Sequence, residues 1–492
     1  MIDTAALREK VLDLAIRGKL VPQDPTDEPA SVLLERIHEQ KLQMVREGKL
    51  KAKDVKDDTI IFKGDDNCYY EKFSDGTIKN IQDEIPFDLP NGWSWCRLKC
   101  ICPYGECDNV ECSEIKNDDW ILDLEDIEKD SGKILAFAKK SDKNSISTKH
   151  KFYQGQLLYS KLRPYLNKVV IAPKAGYCTS EILPLLFWGD IDVHYMQMYL
   201  MSNVFLSYTD KISYGVKMPR LGTADGKQAL IALPPNNEQK LIAKTFQDIL
   251  PALETIKTEQ CALEDIINLL KSKVLELAIQ GKLVPQDEND EPANVLLERI
   301  RAERKAKLGK KYVESYIFKG DDNCYYENNV NNPVEIPFIL PKNWAFSRLA
   351  DIAWLEDGIK IDGEQLPYLD AKTIRGKKTA SMLSCGKAIE KGMQVILVDG
   401  ENSGEVFEVP YRGYIGSTFK VLQVSYGIEK SYVKLILDFY KNLFKDNKTG
   451  SAIPHLNKKI FKSLIVAIPP VSEQKSIVEK VNLVTAILKG GD

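Results

Sequence analysis

The chain has 492 residues with 68 Lys+Arg against 71 Asp+Glu, a formal net charge of -3; at roughly 150 residues per domain, about three domains are expected. Hydrophobic residues at 43% and charged residues at 28% are ordinary globular values and exclude wholesale disorder. The balance also excludes a uniformly basic nucleic-acid binder, because no bulk positive field is available, but it leaves room for a local basic face within a neutral sum.

From the N-terminus, MIDTAALREKVLDLAIRGK scatters charges among its apolar positions, unlike a signal or transit peptide. The apolar run Ile182–Trp188 is far shorter than the ~20 residues needed to span a bilayer. Ten cysteines without a secretory signal are expected as reduced thiols in a soluble cytoplasmic protein. Cys96, Cys100, Cys102, Cys107 and Cys112 cluster without paired CxxC knuckles, which favours buried thiols over a zinc site.

A repeat organises the chain. Leu7–Ile37 returns at Leu270–Ile300 with 24 of 31 positions identical; IFKGDDNCYYE at Ile61–Glu71 returns unchanged at Ile317–Glu327. EIPFDLPNGWSWCRL (Glu84–Leu98) is answered by EIPFILPKNWAFSRL (Glu335–Leu349), and LPPNNEQKLIAK (Leu233–Lys244) by IPPVSEQKSIVE (Ile468–Glu479). Between the matched frames lie two unlike inserts, about 99–232 and 350–467, joined only by echoes such as Lys217-Met-Pro-Arg-Leu beside Ala452-Ile-Pro-His-Leu. A constant frame with two variable inserts suits a molecule that recognises two different things; a drifted, duplicated enzyme domain is the alternative.

In 238–281 a heptad seam falls at Ile242, Phe246, Ile249, Leu253, Ile256, Gln260, Leu263, Ile267, Leu270, Val274 and Leu277, with only Gln260 polar. A helix of 44 residues would reach roughly 66 Å. Pro251 is expected to kink it and Gly281 to stop it. The chain ends complete the pattern: Ile477, Val481, Val484 and Leu488 match its first half, and Leu7, Val11 and Leu14 its second. The repeat is therefore cyclic, with a second helix split across the termini and antiparallel to the first. The expected fold is α+β: two α/β recognition domains in a pseudo-two-fold arrangement, separated by antiparallel long helices forming a coiled-coil spacer. The divisions are 1–20 (half of the split helix), 21–85 (frame), 86–235 (first recognition domain), 236–284 (central helix), 285–336 (frame), 337–470 (second recognition domain) and 471–492 (the other half).

The sequence carries no recognisable catalytic constellation. Gly222-Thr-Ala-Asp-Gly-Lys-Gln lacks Walker A spacing, both Pro-Pro pairs lack the flanks of an aminomethyltransferase motif, and His38, His150, His194 and His455 are dispersed. No catalytic residue and no metal site is expected. What is present is charge patterning: residues 106–130 carry eleven acids and two lysines (net -9), and 131–175 carry ten Lys/Arg and one Asp (net +9). The basic block mixes phosphate anchors with polar and aromatic groups at Lys149, Lys151, Tyr159, Ser160, Lys161, Arg163 and Lys168, with Lys217 and Arg220 further on. A face merely neutralised by the adjoining acids is the competing reading. The second insert offers Lys372, Arg375, Lys377 and Lys378, an exposed turn with Asn402 and Ser403, a glycine-rich edge with Ser417, Thr418 and Lys420, and His455. The helices after each Val-Pro-Gln-Asp either pack on the chain's own core or dock two copies of a partner.

Leu-Ala-Ile-Arg-Gly-Lys-Leu-Val-Pro-Gln, Leu-Pro-Asn-Gly-Trp-Ser-Trp-Cys-Arg-Leu, Tyr-Ser-Lys-Leu-Arg-Pro-Tyr-Leu-Asn-Lys and Pro-Pro-x-x-Glu-Gln-Lys together resemble the specificity subunit of type I restriction-modification systems, over essentially the whole chain. The resemblance implies two target recognition domains, each reading half of an asymmetric bipartite double-stranded DNA site. It also implies a frame that binds two methyltransferase subunits, with restriction/translocase subunits joining them. Adenine methylation and ATP-driven cleavage would then belong to those partners, as would S-adenosylmethionine, ATP and magnesium, with no cofactor on this chain. The density of cysteines at Cys102–Cys112 departs from the family's pattern. Half-sites about one turn apart, roughly 34–36 Å, suit two heads on one face of a duplex. A stand-alone two-headed DNA-binding scaffold is the alternative function.

Overall fold

Asp3 accepts a hydrogen bond from Ala6 N and so starts the helix Thr4–Ile16, whose inner face is Val11, Leu12, Ala15 and Ile16. Gly18 (φ +65°) ends it, and a Cβ there would lie 2.6 Å from Pro90 and 3.1 Å from Trp93. Gly281 (φ +69°) repeats the arrangement against Pro341 at 2.5 Å and Trp344 at 3.0 Å. The shared Gly-Lys-Leu-Val-Pro stretch is thus a left-handed helix stop pressed against the shared Pro-x-x-Trp, a place only glycine fits.

The computed structural model describes residues 2–143, 146–215, 217–330, 332–449, 454–488 and 490. They form two compact units, Met1–Cys261 and Ala262–Asp492, each holding one copy of the frame and one insert. Among them no helix is long and apolar enough to cross a membrane.

Within each unit the frame follows one plan. The identical hairpin pairs Ile60–Lys63 with Tyr69–Lys72, and Ile317–Lys319 with Tyr325–Glu327. Asp66 clips it by accepting from Tyr70 Oη at 2.7 Å, as Asp322 does from Tyr326. The glutamate of the second strand anchors the hairpin: Glu71 takes a buried charge-assisted bond from Arg97 Nη2 at 2.6 Å, and Glu327 takes a part-buried one from Arg348 at 2.8 Å. Each insert leaves and returns through one antiparallel strand pair, Ser94–Arg97 with Leu230–Leu233 and Ala345–Arg348 with Ile465–Ile468.

The Pro-Pro-x-x-Glu-Gln motif closes that neck. Trp93 Nε1 donates to Glu238 at 2.9 Å, and Trp344 Nε1 to Glu473 at 2.8 Å. The neighbouring glutamine, fully buried in both copies, donates to the first carbonyl of its own motif (Pro234 or Pro469) and accepts from Asp192 N or Glu429 N in the insert. These repeated residues are structural: they satisfy buried polar groups where frame meets insert.

Both inserts are mixed sheet and helix. The first has a four-stranded sheet ordered Asp108–Val110, Lys149–Phe152, Gly176–Thr179, Ile121–Leu122, and a three-stranded one ordered Ile182–Leu185, Leu157–Ser160, Val169–Ile171. The second has a four-stranded sheet ordered Ala353–Glu356, Phe419–Val424, Gln394–Leu397, Val406–Glu408, and a small closed barrel of Ile359–Leu369, Met382–Ile389 and Gly413–Ile415. One apolar cluster in each unit runs from insert through frame to helices: Val11 with Ile242 and Phe246, and Ile477 and Val481 with Ala278 and Ile279.

The long helix spans Asn236–Ile279 and passes through Pro251 as one element; it stops at 279 rather than 284. The terminal segments form the helices Thr4–Ile16 in one unit and Val471–Leu488 in the other. Ile242, Phe246, Leu253, Val11, Ile477 and Val481 are buried, and Ile249, Ile256, Ile267, Val274, Leu277, Leu14, Val484 and Leu488 half-buried. Three seam positions depart from expectation: Leu7, Leu263 and Leu270 are exposed, as are neighbouring Ile266 and Leu269. Gln260, the polar seam residue, has an amide that, correctly oriented, pairs with both backbone groups of Ile2 at 2.8 and 3.1 Å. That contact sets Thr4–Ile16 antiparallel to the first half of the long helix.

Candidate nucleic-acid interface

The two inserts differ in sequence, yet each brings the same two loops together by the same backbone bonds. In the first, the strand Leu157–Ser160 runs into Lys161–Arg163. There Arg163 N donates to Pro219 O at 2.7 Å and Leu221 N to Lys161 O at 2.9 Å. In the second, Gly400 N donates to Pro454 O and Leu456 N to Val398 O, both at 2.8 Å. Arg220 bridges Leu162 on one side and Tyr214 on the other, as His455 bridges Asp399 and Thr449. The echo of Lys217-Met-Pro-Arg-Leu in Ala452-Ile-Pro-His-Leu is therefore a conserved backbone junction carrying different side chains; residues 450–453 lie outside the described ones.

The first junction is held tightly. Arg163 and Asn167 both sit at positive φ (50° and 51°) around the turn Pro164–Leu166, conformations rare for non-glycine residues. Asn167 is pinned by donating to Met201 O at 3.0 Å. The Arg220 guanidinium is gripped by Glu181, which accepts from Nε at 3.1 Å and from Nη2 at 2.9 Å. In the second junction His455 Nδ1 lies 2.6 Å from Asp399 Oδ1. A cleft of about 610 Å³ opens there, lined by Asp399, Ser417, Lys420, His455, Lys458 and Lys459 among others.

Not every candidate residue reaches a surface. Lys149, Tyr159, Ser160 and Ser403 are buried, none more than 3% exposed. The strands bearing Lys149, Tyr159 and Ser160 are covered on both faces, so these side chains serve the core. Tyr159 packs edge-on to Phe205, and burial pushes its phenol pKa up. Other candidates already have partners: Lys168 donates to Leu124 O at 2.5 Å, Lys151 lies over the Tyr153 ring, Lys378 pairs with Asp370 at 3.3 Å and Lys420 with Asp357 at 2.7 Å. Arg375 pairs with Glu405 and stacks over Phe407.

Neutralisation by the acidic block also operates: Lys143 contacts Asp123, Glu125 and Asp126 within 3.3 Å, and Lys139 contacts Asp118 at 2.9 Å. Lys217, Lys372, Lys377, Asn402, Ser417, Thr418 and His455 are exposed, and Lys161, Arg163 and Arg220 half-buried at the first junction. Sequence reasoning missed Glu181, whereas Lys458 and Lys459 lie in the Lys-rich end of the second insert, Lys441 to Lys462. Only the pairing of strand Ile182–Leu185 with Leu157–Ser160 carries Glu181 to Arg220, and nothing in local spacing announces it.

The cysteines at 96–112 are free thiols: Cys96, Cys100, Cys102 and Cys112 are buried and Cys107 half-buried. Burial pushes the Cys107 thiol up to about 11, which keeps it protonated and unreactive at neutral pH.

A family model for the type I restriction modification DNA specificity domain matches residues 341–490. The EcoAI specificity subunit of Escherichia coli is 24% identical over 97% of this chain and 88% of its own length. The chain is thus similar to type I restriction-modification specificity subunits over nearly its whole length. The EcoEI specificity subunit of Escherichia coli is 27% identical over 70% of this chain and 61% of its own. A chain solved in work on complex assembly and conformational transition of the type I R-M system shares the fold (TM-score 0.55, 15% identity, 82% of this chain and 93% of that one).

Proposed function

We propose that each unit of this specificity subunit reads one half of an asymmetric, bipartite DNA site through its paired loops. The carrying observation is the shared junction: an identical backbone pattern at 161–163/219–221 and 398–400/454–456 presents Lys161, Arg163 and Arg220 in one unit but Val398, Gly400 and His455 in the other. A common scaffold with unlike side chains supports two different half-sites, because base edges are distinguished by side-chain donors and acceptors. Exposed Lys217, Lys372 and Lys377, with Lys458 and Lys459, supply phosphate contacts that position the heads.

The same reading has the frame recruit two methyltransferase subunits, with restriction subunits joining for ATP-dependent cleavage. S-adenosylmethionine, ATP and magnesium then sit on those partners, and the complex works in the cytoplasm. Mapping methyladenine across a genome, with and without this chain beside its methyltransferase, tests it. A two-part methylated motif that disappears with the chain is expected; identical maps would refute it.

A further inference from the structure

We propose that Arg220 is the base-reading residue of the first head and selects a guanine, with Glu181 as the group that positions it. The inference rests on the DNA-reading role proposed above and assigns a chemistry within it.

A guanidinium has five N–H donors in a rigid fork. Glu181 takes the side edge of that fork, through Nε and one hydrogen of Nη2. The end edge remains: both hydrogens of Nη1 and the second of Nη2. Two parallel N–H groups of that edge match the two acceptors, O6 and N7, that guanine alone presents side by side in the major groove. The side chain is partly exposed, 36% against 24% for Glu181, so the free edge can meet a ligand while the gripped edge stays fixed.

The backbone beneath is equally constrained. Arg220 exchanges N–H···O bonds with Tyr214 at 2.9 and 3.1 Å, while Pro219 and Leu221 on either side are bonded to Arg163 and Lys161. An arginine whose backbone and one guanidinium edge are both fixed loses little freedom on binding, unlike Lys217, which is exposed on the same loop and suits the diffuse charge of a phosphate. The equivalent position in the second head is His455, held by Asp399 at 2.6 Å through Nδ1. It has a single nitrogen left and no fork, so it cannot make the two-point contact open to Arg220.

The test uses this chain purified in complex with its methyltransferase subunits and a pool of duplexes randomised across the recognised half-sites. Wild type should select guanine at one position of one half-site. Arg220→Lys keeps the charge but removes the fork: it should lose that selection by about tenfold or more, keep the other base preferences, and keep the dependence of affinity on salt. Glu181→Gln should weaken the same preference several-fold and no other. Lys217→Ala should weaken binding to all sequences alike and lower the log–log salt slope by about one.

Guanine selection that survives in Arg220→Lys, or a uniform loss of affinity in Arg220→Ala with base preferences intact, would overturn the assignment. A wild-type complex without any sequence preference would instead sink the DNA-reading role on which it rests.

Discussion

At the residue scale, buried polar groups explain more of this chain than surface charge does. Glu473 is 5% exposed beneath Trp344, and burial pushes its carboxyl up to about 7. A carboxyl whose pKa is higher folded than unfolded stabilises fully below its unfolded value, and that stability is lost as pH rises through the folded value. Thermal melts of the second unit's transition should therefore fall between about pH 4.5 and pH 7, by up to about 3 kcal/mol. Glu473→Gln should flatten that dependence, and an unchanged profile would show that the group does not titrate as its burial requires. Composition could locate charge and aromatics near Lys149–Lys168, but not their facing. Lys149, Tyr159 and Ser160 lie on strands covered on both sides, where the period-two alternation that separates inner from outer residues is absent.

At the element scale, the long helix was legible because its seam repeats every three or four residues over more than five turns. The exposed Leu263, Ile266, Leu269 and Leu270 show that a heptad pattern marks a helix more securely than it marks what the helix packs on. The helix stops were legible too, since Gly18 and Gly281 sit one turn before Val-Pro in both copies. Replacing Gly281 with Ala places a methyl 2.5 Å from Pro341 at φ +69°, and should cost about 2 kcal/mol or more. Denaturant unfolding of Gly281→Ala checks this; a loss no larger than that at exposed Gly48, where nothing lies within 4 Å, would show that the helix stop tolerates a side chain. The junction loops were only half legible. Their echo was visible as Pro-Arg-Leu and Pro-His-Leu, but the partners Glu181 and Asp399 come from elsewhere in the chain.

At the scale of the whole molecule, the cyclic repeat makes a strong claim about connectivity. Matched segments on both sides of the chain ends and of residues 258–263 predict that joining the termini and reopening the chain at 257–264 preserves folding. A soluble permutant with native melting and methyltransferase binding is expected, whereas an aggregated one would count against the cyclic register. The near-zero net charge conceals an uneven distribution: Lys139 and Lys143 of the +9 stretch pair with acids of the -9 stretch, while Lys217 at the first junction and Lys458 and Lys459 at the second are exposed.

The most direct test of two independent reading heads exchanges one of them. With residues 99–232 replaced by the corresponding insert of another specificity subunit, and the chain coexpressed with its methyltransferase, methyladenine mapping should give a motif altered in one half only. A motif unchanged, or altered in both halves, would contradict the account.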